Sequence, residues 1–205
     1  MKIELRADHP HDDIAAKADT GRTRAEWFAI MDGLGGVDMG RSKINQHLHQ
    51  DHKLDPWWIS TLNVDYEAAH GAREHDGYPK GYTICATRAI TATPEACCEA
   101  FASAEILDRW FGPDNEIDFR DGGAWVNGDG NRAVLRKCTP GKSIRMVWHD
   151  AYAGANTPVE IKFQPNGAKT TVMVTQERVQ TREEADGLRR AWSGALDRLK
   201  HVLEA

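Results

Sequence analysis

Three short alternating segments followed by one long amphipathic segment decide the fold. The alternating segments read SIRMVWHD at 143–150, PVEIKFQ at 158–164 and KTTVMVTQERV at 169–179. Apolar residues recur there at every second position, the pattern of a β-strand with one buried face. The last segment is EEADGLRRAWSGALDRLKHVLEA at 183–205, where large apolar residues recur at spacings of three and four. That spacing predicts a helix with one apolar stripe.

Working outward from this stretch, the same signals continue towards the N-terminus. YTICATRAI at 82–90 predicts a strand, and PEACCEAFAS and AEILDRWFG predict two short helices over 94–112. EIDFR, GGAWVNG and NRAVLRKC then predict short strands between 116 and 138, separated by glycine-containing turns. An antiparallel sheet of six or seven strands has one face to bury, and the long C-terminal helix can cover it. The predicted class is therefore α+β.

The N-terminal part of the chain has a different pattern. Residues 1–19 are polar and predict an arm, residues 20–75 predict a small domain of three helices, and 76–81 predict a linker before the domain at 82–205. The helices start at Thr23, with Glu26 completing a capping box, at Ser42, and at Asp55, which is followed by a proline. Trp57 and Trp58 cannot both face one small core. We expect the outward one to pack on the second domain, a partner subunit or the N-terminal arm.

Composition and charge exclude several classes. The chain has 205 residues and a net charge of −5, and no run approaches the roughly 20 apolar residues of a membrane span. The start, MKIELRADHPHDD, has no apolar signal core, so we expect a cytoplasmic protein that does not bind a membrane. Residues 42–71 have a helix–turn–helix spacing, but residues 20–75 carry six basic and eight acidic side chains. Because phosphate neutralisation dominates DNA affinity, we expect no binding to nucleic acid.

Several motifs in the C-terminal part resemble those of a known family. They are Ala92-Thr93-Pro94-Glu95, the run from Ala104 to Pro113, the turn from Arg120 to Trp125, and Trp192 followed by Leu196-Asp197-Arg198-Leu199. Together they resemble the helix-grip (START/Bet v-like, SRPBCC) superfamily, and within it the activator of heat-shock-protein ATPase homologue (AHSA-like) family, over about residues 82–205. The resemblance implies a helix-grip fold, in which a sheet wraps around a long C-terminal helix and leaves room for a small molecule.

The N-terminal part resembles a small helical family that has no assigned function and often accompanies such domains. The matching residues are Thr20-Gly21-Arg22-Thr23, Glu26-Trp27, Trp57-Trp58, Val64 and Tyr66-Glu67. Eukaryotic activators bind their chaperone mainly through a separate N-terminal domain with an Asn-rich signature, and residues 1–81 do not match it. The resemblance therefore implies the fold and does not imply activation of a chaperone.

The sequence indicates no catalytic or metal constellation. Cys85, Cys97, Cys98 and Cys138 match no zinc or redox spacing and are expected to be free thiols. His47, His49 and His52 bring at most two ligands to one helix face, so we expect no metal ion. There is no G-x-S-x-G motif, and His149, beside Asp150, is the best acid–base candidate. We expect no cofactor.

The predicted ligand site lies between the sheet and the C-terminal helix. Its lining residues are Trp110, Ile117, Phe119, Met146, Trp148, Phe163, Leu188, Trp192 and Leu196. Most of them are apolar, which favours a small hydrophobic ligand with one or two polar anchors. Three functions remain open: a binding module, a cyclase- or hydrolase-like enzyme that uses the same cavity, or a chaperone-linked protein-interaction adaptor whose core is filled. A homodimer is compatible with all three.

Overall fold

The computed structural model describes residues 1–150 and 152–205, and in it the chain forms two compact units. The helical unit comprises Ala7–Tyr82, and the sheet unit comprises Met1–Arg6 together with Thr83–Ala205. Within the described residues, no helix is both long enough and apolar enough to cross a membrane.

The helical unit contains five helices rather than the three expected. They are α1 (Asp13–Thr20), α2 (Arg24–Gly33), α3 (Gly36–Met39), α4 (Arg41–Gln50) and α5 (Pro56–Ala69). The expected starts of α2 and α5 are confirmed, because Thr23 and Glu26 form a capping box and the Asp55 carboxylate accepts from two backbone amides. Helix α1 begins at an Asp12 cap and buries only Ala16, so its sequence has no apolar stripe that would have revealed it.

Large apolar side chains from α2, α4 and α5 form the core of this unit. Its fully buried members include Trp27, Met31, Leu48, Leu62 and Tyr66. Trp58 is also buried and donates to the Asp19 carboxylate (3.2 Å). Trp57 is half-buried, with its ring edge-on to His9 and His11 at centroid distances of 5.3 and 6.4 Å. Three neighbours were expected for the outward-facing tryptophan. Of these, the structure shows the N-terminal arm, which packs on Trp57 through His9 and His11.

The turn-rich stretch after α5 is held by one buried carboxylate. Glu67 accepts from the Arg41 guanidinium and lies 3.5 Å from Lys80 Nζ, while Arg41 also donates to the Gly81 carbonyl. Arg73 and Pro79 form an isolated antiparallel bridge. The expected linker at 76–81 thus follows a defined path in the helical unit.

The sheet unit has the element order that the sequence predicts. Its members are β1 (Tyr82–Ile90), α6 (Pro94–Ala102), α7 (Ala104–Trp110), β2 (Glu116–Ile117), β3 (Ala124–Val126), β4 (Arg132–Thr139), β5 (Ser143–Trp148), β6 (Thr157–Asn166), β7 (Lys169–Val179) and α8 (Arg182–Glu204). The strands form one seven-stranded sheet in the order β1-β7-β6-β5-β4-β3-β2, and every neighbouring pair from β2 to β7 is antiparallel. The hairpin expected at 165–167 is confirmed, with Asn166 opposite Lys169.

The second strand is shorter than the sequence indicates. Phe119 lies beyond β2, because the chain turns where the Gly123 amide donates to the Arg120 carbonyl. Ile117 and Phe119 are half-buried, at the β2 edge of the sheet.

The first residues pack on α8 and do not belong to a free arm. Arg190 donates to the carbonyl oxygens of Glu4 and Arg6, and the Met1 side chain is buried. A Cβ atom at Gly187 would lie within 3.0 Å of the Glu4 carbonyl oxygen, so this glycine permits the close approach. The expected arm at 1–19 is thus divided: Met1–Arg6 joins the sheet unit, and Ala7 onward joins the helical unit.

Candidate ligand site

Alternation on the central strands provides one wall of the candidate site. Met146 and Trp148 on β5, Ile161 and Phe163 on β6, and Val174 on β7 are all buried. Arg145, between the inward positions of β5, is exposed and pairs with Glu160 on β6. The period of two thus separates an apolar inner face from a charged outer face.

The apolar stripe of α8 provides the opposite wall. Its large side chains are fully buried: Leu188, Trp192, Leu196 and Leu199. Thr181 caps the start of α8 and forms a capping box with Glu184, and that cap fixes where the stripe starts. The Trp192 ring lies 5.7 Å from the Trp148 ring, so α8 packs directly on β5 at this point.

Aromatic side chains from α6 and α7 connect the two walls. The Phe101 ring contacts Trp110 (4.8 Å) and Phe163 (5.6 Å). The Phe111 ring contacts Trp192 (5.6 Å) and, at a longer distance, Trp148 (6.4 Å). The interior between sheet and helix is therefore a continuous aromatic cluster, and its members touch one another in this structure.

A buried polar chain crosses this apolar interior. Trp192 Nε1 donates to Gln176 Oε1 (3.0 Å), Gln176 Nε2 donates to Thr157 Oγ1 (2.7 Å), and Thr157 Oγ1 donates to the Gly154 carbonyl. Gln176 and Thr157 are buried. Gln176 is not among the predicted site residues, although its position in phase with Val172 and Val174 on β7 is a signal that it faces the interior.

Trp148 differs from the other indoles of the sheet unit. Trp110 donates to the Ala100 carbonyl, Trp125 to Asn115 Oδ1, and Trp192 to Gln176. Trp148 Nε1 is buried, and no acceptor for it lies among the residues that the structure describes. A buried donor without an acceptor costs about 1–3 kcal/mol, so this position is polar and unsatisfied inside an apolar wall.

An open cleft of about 730 Å³ lies against the same aromatic cluster. It is lined by the end of α7 and the turn after it (Asp108–Pro113), by Lys2 and Glu4, by Asp129, and by the α8 face that carries Gly187, Ala191 and Gly194. Trp110 and Phe111 belong both to the cleft wall and to the aromatic cluster. This cleft has no local signature in the sequence, because four segments distant in the chain form it.

The structure separates the nine predicted lining residues into two groups. Seven are buried in the helix–sheet interior: Trp110, Met146, Trp148, Phe163, Leu188, Trp192 and Leu196. Ile117 and Phe119 are half-buried near the β2 edge. Of the nine, Trp110 alone also lines the open cleft.

The remaining candidate residues lie apart from this interior or are engaged. His149 Nδ1 lies 2.9 Å from Asn156 Oδ1, and Asp150 Oδ1 accepts from the amides of Tyr152 and Ala153. Burial raises the pKa of the Cys97 and Cys98 thiols, which disfavours a reactive thiolate. Among the described residues, no group of three or more His, Cys, Asp or Glu side chains could hold a metal ion.

Solved structures share this architecture. The Aha1 dimer from Colwellia psychrerythraea matches with a TM-score of 0.54 and 22% identity, over 60% of this chain and 96% of that one. CalU16 from Micromonospora echinospora matches with a TM-score of 0.56 and 18% identity, over 64% and 70%. DynU16, from the dynemicin biosynthetic locus, matches with a TM-score of 0.53 and 18% identity, over 60% and 47%.

These similarities and the sheet-plus-helix topology define the class of the sheet unit as a helix-grip fold, as the sequence predicts. The family model described as activator of Hsp90 ATPase homolog 1-like protein matches residues 91–204. The chain belongs to this family, and the expected membership is confirmed. No curated protein matches the chain.

Proposed function

We propose that the sheet unit binds a small, mainly hydrophobic molecule between the inner face of the sheet and α8. The observation that carries this proposal is the aromatic cluster, which extends from Phe163 through Trp110 and Phe111 to Trp148 and Trp192. Aromatic walls with a few polar groups are typical of small-molecule sites. The Trp192–Gln176 hydrogen bond supplies such a group within the cluster.

The cleft beside Phe111 is the proposed route to this interior. Phe111 forms part of the cleft wall, while its ring contacts Trp192. Because the rings touch one another here, a ligand that enters must displace at least one of them. Binding therefore selects a more open arrangement of Phe111 and its neighbours, and the free energy of that opening lowers the observed affinity.

A second candidate is an interaction adaptor whose interior stays filled by its own side chains. The observation that favours it is the same ring packing, since every ring of the cluster touches another ring. The adaptor differs from the binding module in a measurable way: apolar compounds would neither raise its melting temperature nor change its tryptophan emission. A cyclase-like enzyme would bind such compounds and, in addition, turn one of them over.

Binding can be tested with a panel of naphthalenes, fatty acids and polycyclic ketones on the full chain. We expect members of the panel to raise the melting temperature and to change the emission of Trp148 and Trp192. Trp192→Phe should weaken binding, whereas Trp27→Phe, an equally buried indole in the core of the helical unit, should destabilise that unit without changing affinity. A panel that leaves both melting temperature and emission unchanged would contradict the proposal.

We also propose that the chain forms a homodimer in the cytoplasm. The supporting observation is that a structural neighbour, the protein from Colwellia psychrerythraea, is described as a dimer. Light scattering on the eluting peak of a size-exclusion column should give twice the chain mass of 22.9 kDa. A mass equal to one chain across the micromolar range would contradict the dimer and leave the ligand proposal unaffected.

A further inference from the structure

The indole of Trp148 is an unsatisfied polar group within the aromatic cluster of the proposed site; elsewhere in the described part of the sheet unit, Asn127 Nδ2 and Asn131 Oδ1 are also buried without a partner. The Trp148 side chain is about 1% exposed, and its N–H has no acceptor among the described residues. Two buried acceptors, one close to Trp148 in sequence and one across the aromatic cluster, already accept hydrogen bonds from other groups. Gln176 Oε1 accepts from Trp192, and Asp150 Oδ1 accepts from two backbone amides.

The surroundings restrict what could satisfy this donor. Phe111 and Trp192 are its aromatic neighbours, so the acceptor must arrive on a molecule that also tolerates apolar walls. A carboxylate would need a cation beside it, because burying an unpaired charge is costly. The two buried cations that the structure describes in this unit, the Arg182 guanidinium and the Met1 ammonium, are already paired with Asp186 and Asp129. A neutral carbonyl oxygen meets both conditions.

We propose that Trp148 is a specificity-determining residue whose N–H donates to a neutral carbonyl oxygen of the ligand, and that the ligand is an aromatic or polycyclic ketone, ester or quinone. This inference rests on the proposed function, because it assigns the polar anchor of the same site. The site then prefers, among molecules of equal shape, those that carry a hydrogen-bond acceptor for the Trp148 N–H.

A matched pair of probes tests this discrimination. 2-Acetylnaphthalene carries a carbonyl group, and 2-ethylnaphthalene has a CH2 group at the same position and therefore no acceptor. Calorimetric titration of the full chain should give about tenfold tighter binding of the ketone, the effect of one good hydrogen bond. Trp148→Phe keeps a ring at this position and removes the donor, so it should abolish the tenfold difference while binding of 2-ethylnaphthalene changes little.

Trp192→Phe is the matched control variant. Its N–H already has an acceptor in Gln176, so its removal should weaken both probes by a similar factor and preserve their ratio. The wild-type protein supplies a reading that does not depend on the folding of any variant. In a ¹H–¹⁵N spectrum, the Trp148 indole N–H signal should move downfield with the ketone and not with the hydrocarbon.

The possible outcomes distinguish a wrong carbonyl assignment from a failure of the proposed hydrophobic binding. If both probes bind equally and the Trp148 signal responds alike to both, the carbonyl assignment is wrong while hydrophobic binding stands. The same holds if Trp148→Phe preserves a tenfold preference for the ketone. If neither probe nor any member of the apolar panel binds, the proposed function fails, and this inference fails with it.

Discussion

At the scale of single residues, the buried amide of Gln176 joins two elements that the fold must hold together. It accepts from Trp192 on α8 and donates to Thr157 on β6. Each partner is buried and would otherwise leave a polar atom unsatisfied. We therefore expect the amide to fix where α8 sits on the sheet as well as to contribute stability.

Replacing Gln176 with leucine should destabilise the sheet unit by about 2–4 kcal/mol, because two buried groups lose their partners at once. The double variant Gln176→Leu/Trp192→Phe should recover part of that loss, since it also removes the orphaned indole donor. Denaturant unfolding of the two single variants and the double variant measures the coupling free energy. Strict additivity would contradict the hydrogen bond between these side chains.

Gly187 illustrates a residue whose role comes from a contact with a distant segment. An added methyl group would lie within 3.0 Å of the Glu4 carbonyl, so Gly187→Ala should destabilise the sheet unit by about 1–3 kcal/mol through overpacking. At Gly194, on the same helix, the added carbon would meet only the Arg198 guanidinium at 3.6 Å. Gly194→Ala should be neutral or stabilising by up to about 1 kcal/mol. Equal effects in thermal unfolding would show that Met1–Arg6 does not pack on α8 in solution.

At the scale of elements, the strands and α8 were predictable because their burial follows a simple period. Strands β5, β6 and β7 and helix α8 each have one buried face and one polar face, and the sequence shows that alternation directly. Helix α1 and the short β2 were not predictable in this way. The first buries one alanine, and the second is ended by a turn at Arg120 and Gly123.

The α4–α5 region makes the helical unit sensitive to acid. The His52 ring lies edge-on to Trp27 (5.1 Å) and 5.2 Å from His47. Burial, with help from the charges of Arg22 and His47, lowers the pKa of His52 below its ordinary value. The neutral imidazole is therefore the form that the fold favours. Its stabilising contribution is present above the ordinary pKa of about 6.5 and is lost as the pH falls through the lowered value.

Hydrogen exchange of amides in α4 and α5 should therefore become faster as the pH is lowered from 7 to 5, after correction for intrinsic exchange rates. His52→Gln should reduce this pH dependence, because the group that must take up a proton is gone. His75→Gln, at an exposed position of the turn-rich stretch, should leave it unchanged. An unaltered pH dependence in His52→Gln would contradict the role given to this imidazole.

At the scale of the whole molecule, the sequence was sufficient for the fold of the sheet unit and for its apolar interior, but not for the cleft. Residues such as Trp148 and Trp192 are assigned to the interior by their own period. The cleft depends on Lys2, on the turn after α7 and on small residues of α8 meeting in space, which no local pattern encodes. The missing acceptor of Trp148 is likewise a property of the assembled core.

The most direct test of hydrophobic binding inside the sheet unit is a methyl NMR titration of the full chain with the panel compound that raises its melting temperature most. We expect the buried methyl groups of Met146, Leu188 and Leu196 to shift and saturate together. The signals of the Met31 and Leu48 methyl groups, in the core of the helical unit, should keep their chemical shifts. If the first three remain unmoved at saturation while only exposed residues such as Leu5 respond, the ligand does not enter between the sheet and α8, and the central claim is wrong.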